Sequence, residues 1–127
     1  MSGIKYLLDT CFIIQWHAQD NKTFEIISRL NLQPFECAYS DISHAEVFGY
    51  HGISPKAEYE LTALLFDIER LSVSKSIIDI VIAIRKTHKI KLPDALILAT
   101  AKQHNLTLLT LDDKLQRLAQ LAGVKIA

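Results

Sequence analysis

Four short runs rich in apolar residues, at 4–8, 36–40, 70–73 and 107–111, alternate with longer stretches whose apolar residues recur at helical spacing. Parallel strands cannot be joined by tight turns; each pair needs a crossover of a dozen or more residues, usually a helix. Short apolar runs taking turns with helical stretches therefore predict a mostly parallel α/β sheet of about four to five strands, covered on both faces. A fifth short run, 124–126, follows Gly123, a residue suited to a helix end. With 127 residues, one domain spanning 1–127 is expected, long enough to build a core without disulfides.

The intervening segments predict helices over 11–17, 23–30, 43–50, 54–66, 94–104 and 113–122. Pro55 suits a first turn, where no intrahelical N–H bond is lost. The Ala- and Leu-rich segment after Pro93 is a strong helix former. Residues 74–88 pull two ways. Their isoleucines favour a strand, whereas their length and the 77, 80, 81, 84 apolar spacing favour a helix, which is the reading adopted.

In open parallel sheets, ligands bind beyond the carboxyl ends of the strands. Asp9 and Asp112 lie just past two such ends, and Glu46 lies one turn into the helix after a third. Asp94 opens a helix with no evident strand before it, so pattern alone does not locate it. Carboxylates converging on one sheet edge bind hard divalent cations through oxygen. Each acid also has a structural explanation. Ser43 and Glu46 have the spacing of a capping box. Asp9, Asp94 and Asp112 could cap or begin helices, and Asp113 suits a first turn. Asp9 stands apart because it ends a nearly continuous apolar strand, where a charge is costly unless paired or bound to metal.

Bulk properties exclude several classes. At 50% apolar and 22% charged residues, the chain is globular rather than disordered. Its 14 basic residues balance 14 acidic ones, so it lacks the basic excess of a general nucleic-acid coat. The two cysteines, Cys11 and Cys37, have neither C-x-x-C nor zinc-ligand spacing and are expected to be small core residues in a reduced, cytoplasmic setting. No apolar stretch reaches the ~18–20 residues of a membrane span, and no signal peptide is evident at the N-terminus. Trp16, Phe24 and Phe35 are expected in the core. Tyr59, Leu61, Leu64, Leu65 and Phe66 are expected to pack internally, with a partner-facing surface as the alternative. The basic segment 85–91 reads as a solvated helix end or as a guide for an RNA backbone.

Taken together, the acidic segments resemble the motifs of PIN-domain ribonucleases. Asp9, Thr10 and Cys11 within the run 7–14 resemble the first motif. Ser40, Ser43, Glu46 and Val47 resemble the second, and the run 92–101 around Asp94 the third. The run 108–113, ending in Asp112 and Asp113, resembles the fourth. The resemblance spans nearly the whole chain and extends to the VapC-like toxins of toxin–antitoxin pairs. It implies a three-layer α/β/α sandwich and a site in which Asp9, Glu46, Asp94 and Asp112 hold Mg²⁺ or Mn²⁺. Thr10, Ser43, Thr110 and Asp113 would be supporting polar residues. It further implies an antitoxin partner and a homodimer. Two departures stand out. Cys11 occupies a position where Asn or Ser is common, and Lys114 and Leu115 follow where the family often has Asp-Phe. The second leaves open whether Asp112 or Asp113 faces the metal.

The function expected is metal-dependent hydrolysis of RNA phosphodiester bonds with water as the nucleophile. The alternative is a catalytically silent RNA- or protein-binding domain on the same scaffold. Loss of a core acid would favour that alternative, and all four are present. Aspartyl phosphatases would want a second Asp where Cys11 stands.

Overall fold

A computed structural model of the chain describes residues 3–127. In chain order it contains β1 (Tyr6–Leu8), α1 (Thr10–His17), α2 (Asn21–Leu30), a 3-10 turn (Pro34–Glu36), β2 (Cys37–Ser40), α3 (Asp41–Phe48) and α4 (Pro55–Leu65). There follow β3 (Glu69–Leu71), α5 (Lys75–Thr87), α6 (Leu92–Gln103), β4 (Thr107–Leu109) and α7 (Asp113–Leu121). The sheet has the order β3-β2-β1-β4 with every pairing parallel. Register sets Leu7 beside Ala38 and Leu108, and Leu8 beside Leu109.

The two-residue period of the strands splits their side chains between two cores. Leu7, Ala38 and Leu108 join Ile77, Val81, Ile84, Leu98 and Leu115 from α5, α6 and α7. Leu8, Cys37, Tyr39 and Leu109 join Phe12, Ile13, Val47, Leu61 and Leu65 from α1, α3 and α4. Helices thus cover both faces, producing the three-layer α/β/α sandwich.

The segment is helical over Lys75–Thr87, as its spacing predicts, with Ser74 and His88 as its caps. Ile77, Val81 and Ile84 are buried on one face, and the Ser74 hydroxyl accepts the Ile77 N–H at 3.2 Å as the N-cap. Tertiary burial of one stripe outweighs the isoleucines' strand preference. In α6 every residue from Ala95 to Ala101 is buried, because the helix packs along α5 and its alanines permit close approach.

Several expectations are corrected. The run 124–126 is not a strand; it contributes one isolated bridge, Ile126 to Leu108. Cys11 is exposed, whereas Cys37 is buried. Phe24 and Phe35 are 40% and 66% exposed rather than in the core. Trp16 packs partly buried and edge-on to Phe12, with ring centroids 6.2 Å apart. On α4, Leu61 and Leu65 face inward, but Tyr59, and Phe66 just past the helix, are 77% and 83% exposed. A helix packed on one side of a sheet can bury only one stripe. Among the described residues, no helix is long and apolar enough to cross a membrane.

Candidate active site

Asp9 is the hinge between β1 and α1. Its Oδ1 accepts the Phe12 N–H at 2.8 Å, which makes it the N-cap of α1. Its Oδ2 accepts the Thr110 hydroxyl at 2.5 Å. Thr110 can reach it because β1 and β4 are parallel neighbours whose carboxyl ends coincide; the Asp9 N–H donates to Leu109 O at 3.2 Å. Asp9 is only 4% exposed. Burial pushes its carboxyl up to about 6, the hydrogen bonds from Thr110 and Phe12 oppose that rise, and the charges of Asp112 and Asp94 add to it.

Glu46 approaches from the other wall. The Thr10 hydroxyl donates to its Oε1 at 2.7 Å and lies 3.0 Å from Ser43 Oγ, which can supply its own proton to Thr10. The capping-box explanation of Ser43 and Glu46 is overturned. The N-cap of α3 is Ser40, whose hydroxyl accepts the Ser43 N–H at 3.3 Å. Counted from Ser40, Ser43 is the third helical residue, and Glu46 lies a turn too deep to reach a free N–H.

Asp94 sits in the first turn of α6 directly after Pro93, and the N-cap is Lys91. Burial raises its carboxyl above the usual range, with Asp112 and Glu46 adding to the rise and Lys114 and Lys91 opposing it. Asp112 is the N-cap of α7: its Oδ1 accepts the N–H groups of Lys114 and Leu115 at 2.9 and 3.2 Å. The Asp112 N–H in turn donates to Thr110 Oγ1 at 3.1 Å.

These pieces border one cavity of about 120 Å³. Asp9, Glu46, Asp94 and Asp112 line it together with Thr10 and Cys11, and Pro93, Ile97 and Leu115 supply its apolar wall. Asp113 is exposed on α7 and does not line it. Thr110 and Ser43, both buried, act from behind the lining side chains. A larger depression of about 480 Å³ lies among α5, α6 and α7, but its walls are largely aliphatic and it holds a single carboxylate, Asp79. The small cavity is therefore the one with chemical content. His44 lies off it, with Nδ1 3.2 Å from the Tyr39 hydroxyl and its ring against Phe48.

The donor set suits a hard divalent cation, since carboxylate and hydroxyl oxygens are what Mg²⁺ and Mn²⁺ prefer. Among the described residues, no three His, Cys, Asp or Glu side chains are gathered onto one point as a ready ligand cluster. The acids share a cavity rather than a vertex. A cation held among them would oppose the charge repulsion that adds to the effect of burial in raising Asp9 and Asp94.

Two participants lie outside the sequence expectation. Cys11, expected as a small core residue on composition although it falls within the first motif, lines the cavity; its place directly after the strand-ending Asp9 and Thr10 is the available signal. Gln116 donates from Nε2 to the Thr110 carbonyl at 3.0 Å. That bond crosses from a helix back to the end of a strand, a relation with no periodic signature in the chain.

A parallel three-layer α/β/α fold with acids around a cavity at the carboxyl edge of its sheet defines a class of domain. The chain belongs to the PIN domain family, whose pattern matches residues 6–121 and so takes in all four acids. Among solved structures, the fold is similar to a toxin–antitoxin complex from Klebsiella pneumoniae, at 28% identity over 87% of this chain and 88% of that chain, with a TM-score of 0.71. It is similar to FitAcB from Neisseria gonorrhoeae, at 26% identity over 95% of each chain, TM-score 0.72. VapBC2 from Rickettsia felis bound to a DNA fragment from their promoter shares the fold at 18% identity over 98% of each chain, TM-score 0.78. No curated protein matches significantly.

Proposed function

We propose that this PIN domain is a metal-dependent endoribonuclease and the toxin of a toxin–antitoxin pair. The observation that carries the reading is the meeting of Asp9, Glu46, Asp94 and Asp112, from four separate elements, around one cavity. Structural capping accounts for Asp9 and Asp112 but for neither Glu46 nor the convergence.

Asp9, Glu46, Asp94 and Asp112 would hold Mg²⁺ or Mn²⁺. When bound, such a cation lowers the pKa of water and offsets negative charge at a phosphodiester. The residues do the rest. Thr110 and Phe12 hold the Asp9 carboxylate at fixed orientation, one bond to each oxygen. Thr10, with Ser43 behind it, fixes Glu46. Ile97, Pro93 and Leu115 restrict water on one side, which strengthens electrostatic interactions in the cavity. No thiol nucleophile is required: partial desolvation raises the Cys11 thiol, as do the charges of Asp9, Asp112 and Asp20, which disfavours its thiolate. Water is then the nucleophile and no covalent enzyme intermediate forms.

An antitoxin is supported by the structural similarity to toxin–antitoxin complexes. The groove lined by Trp16, Phe24 and Leu64 and by the polar His17, Gln19 and Glu60, at about 280 Å³, is a surface it could cover. A homodimer and a cytoplasmic site of action remain part of the proposal.

The test is cleavage of RNA with and without Mg²⁺ or Mn²⁺ by the parent chain, Asp9→Asn and Asp94→Asn. Cleavage that requires the cation and drops at least about 100-fold in both variants is expected. Equal cation-independent cleavage by all three would sink the proposal. Failure of the parent to cut any RNA would favour the binding-domain alternative.

A further inference from the structure

Thr110 is the junction between two of the four acids. Its hydroxyl donates to Asp9 Oδ2 and accepts the Asp112 N–H. A hydroxyl keeps both bonds only if the residue's backbone is held in one orientation. The last ladder bond of this region is Asp9 N–H to Leu109 O, and the first backbone bond of α7 is Gln116 N–H to Asp112 O at 3.0 Å. The Thr110 carbonyl falls between them, in a residue only 4% exposed, without a partner in regular structure. A buried carbonyl requires a donor, and Gln116 Nε2 supplies it at 3.0 Å. Gln116 thus grips the turn twice: its backbone holds the Asp112 carbonyl and its side chain holds the Thr110 carbonyl.

We propose that Gln116 is a positioning residue of the carboxylate cavity, fixing Thr110 so that Asp9 and Asp112 are presented together to a divalent cation. The residue does not line the cavity; it acts through Thr110. Sequence alone offers a polar residue on an amphipathic helix, where solvation is the default role. The geometry assigns more, because the amide is turned inward onto the one residue that bonds both acids. The inference rests on the reading of the cavity as a cation-dependent RNA-cleaving site.

The experiment compares Gln116→Met with Gln120→Met. Gln120 is exposed on the same helix and makes no bond to Thr110. Methionine keeps the length and the helix propensity and removes the donor. Mn²⁺ binding is measured by calorimetry, RNA cleavage by kcat and KM, and stability by thermal unfolding in chelator. Loss of an outer-shell partner is expected to weaken Mn²⁺ binding in Gln116→Met roughly 10- to 100-fold. A fall in kcat of about the same size at fixed Mn²⁺ should follow. KM for RNA should stay within about twofold, since Gln116 touches no substrate, and Gln116→Met should remain as fully folded as Gln120→Met at the assay temperature, its unfolding midpoint falling only by what one unpaired buried carbonyl costs. If the parent binds Mn²⁺ and cuts RNA but the two variants behave alike, the inference falls and the nuclease reading stands. If Gln116→Met is partly unfolded at the assay temperature and its Mn²⁺ affinity falls only in that proportion, Gln116 is merely structural and the inference falls. A parent that binds no Mn²⁺ and cuts no RNA removes both.

Discussion

Asp9 should weaken the fold it helps to build, and Asp9→Asn should reveal by how much. Its carboxyl is carried from 3.8 to about 6, first by burial and then, against two hydrogen bonds, by the charges of Asp112 and Asp94. At about 1.4 kcal/mol per tenfold change in proton affinity, ionising it in the folded chain costs about 3 kcal/mol once both folded and unfolded forms are charged. The folded value is raised, so the sign is clear. The neutral acid's contribution is fully present below about pH 3.8 and is lost as pH rises through about 6. Asparagine removes that loss. It remains a good N-cap for the Phe12 N–H, and its amide can donate to the Thr110 hydroxyl in place of accepting from it. Urea unfolding of parent and variant in chelator, between about pH 4 and pH 8, should show little difference at the acid end. By about pH 7.5 the variant should be more stable by about 2–3 kcal/mol, the upper figure being reduced by weaker bonding to Thr110. Mg²⁺ should then close the gap: at 100 times its dissociation constant it stabilises the parent by about 2.7 kcal/mol and leaves the variant unmoved. A variant less stable than the parent at pH 7.5, or a difference independent of pH, would refute the account of Asp9 as a strained ligand.

Asp112 both caps α7 and lines the cavity, and two substitutions separate the roles. Asp112→Asn keeps the cap and should change stability by only a few tenths of a kcal/mol, whereas Asp112→Ala should cost about 1 kcal/mol in denaturant unfolding; both should lose cleavage, while Asp113→Asn should retain it. Thr10→Val removes the donor to Glu46 and the contact with Ser43. Cleavage assays should show kcat lower by roughly 10-fold or more with KM little changed, since a ligand's outer-shell partner is lost; an unchanged kcat would mean that Glu46 needs no orientation.

Half of the candidate site was legible because Asp9 and Asp112 sit where strand runs stop, and a strand end is visible in the chain as an apolar run meeting a polar residue; Asp94, at the start of a helix that follows another helix, has no such signal. Glu46 was harder. Reading α3 from Ser43 made a capping box available; starting it at Asp41, capped by Ser40, removes it. A two-residue error at a helix start, ordinary where caps and turns use the same residue types, was enough to change the apparent role of a carboxylate. The short edge at 124–126 failed for a related reason: apolar residues next to a sheet need not pair with it beyond one bridge.

By itself the sequence determined the alternation of strand and helix, hence the parallel sheet with two covered faces. It also marked Asp9 and Asp112 as acids that end apolar runs, a local property of the chain, while Glu46 and Asp94 joined them through the resemblance of their motifs. Tertiary structure decided everything that depends on neighbours distant along the chain. The parallel pairing of β1 with β4 brings Thr110 onto Asp9 across 101 residues. The packing of α1 with α3 brings Thr10 onto Glu46. Burial of Asp9 beside Asp94 and Asp112 turns a helix cap into a carboxyl that titrates near 6. Charge, burial and hydrogen bonding act through space, and only the folded chain sets those distances.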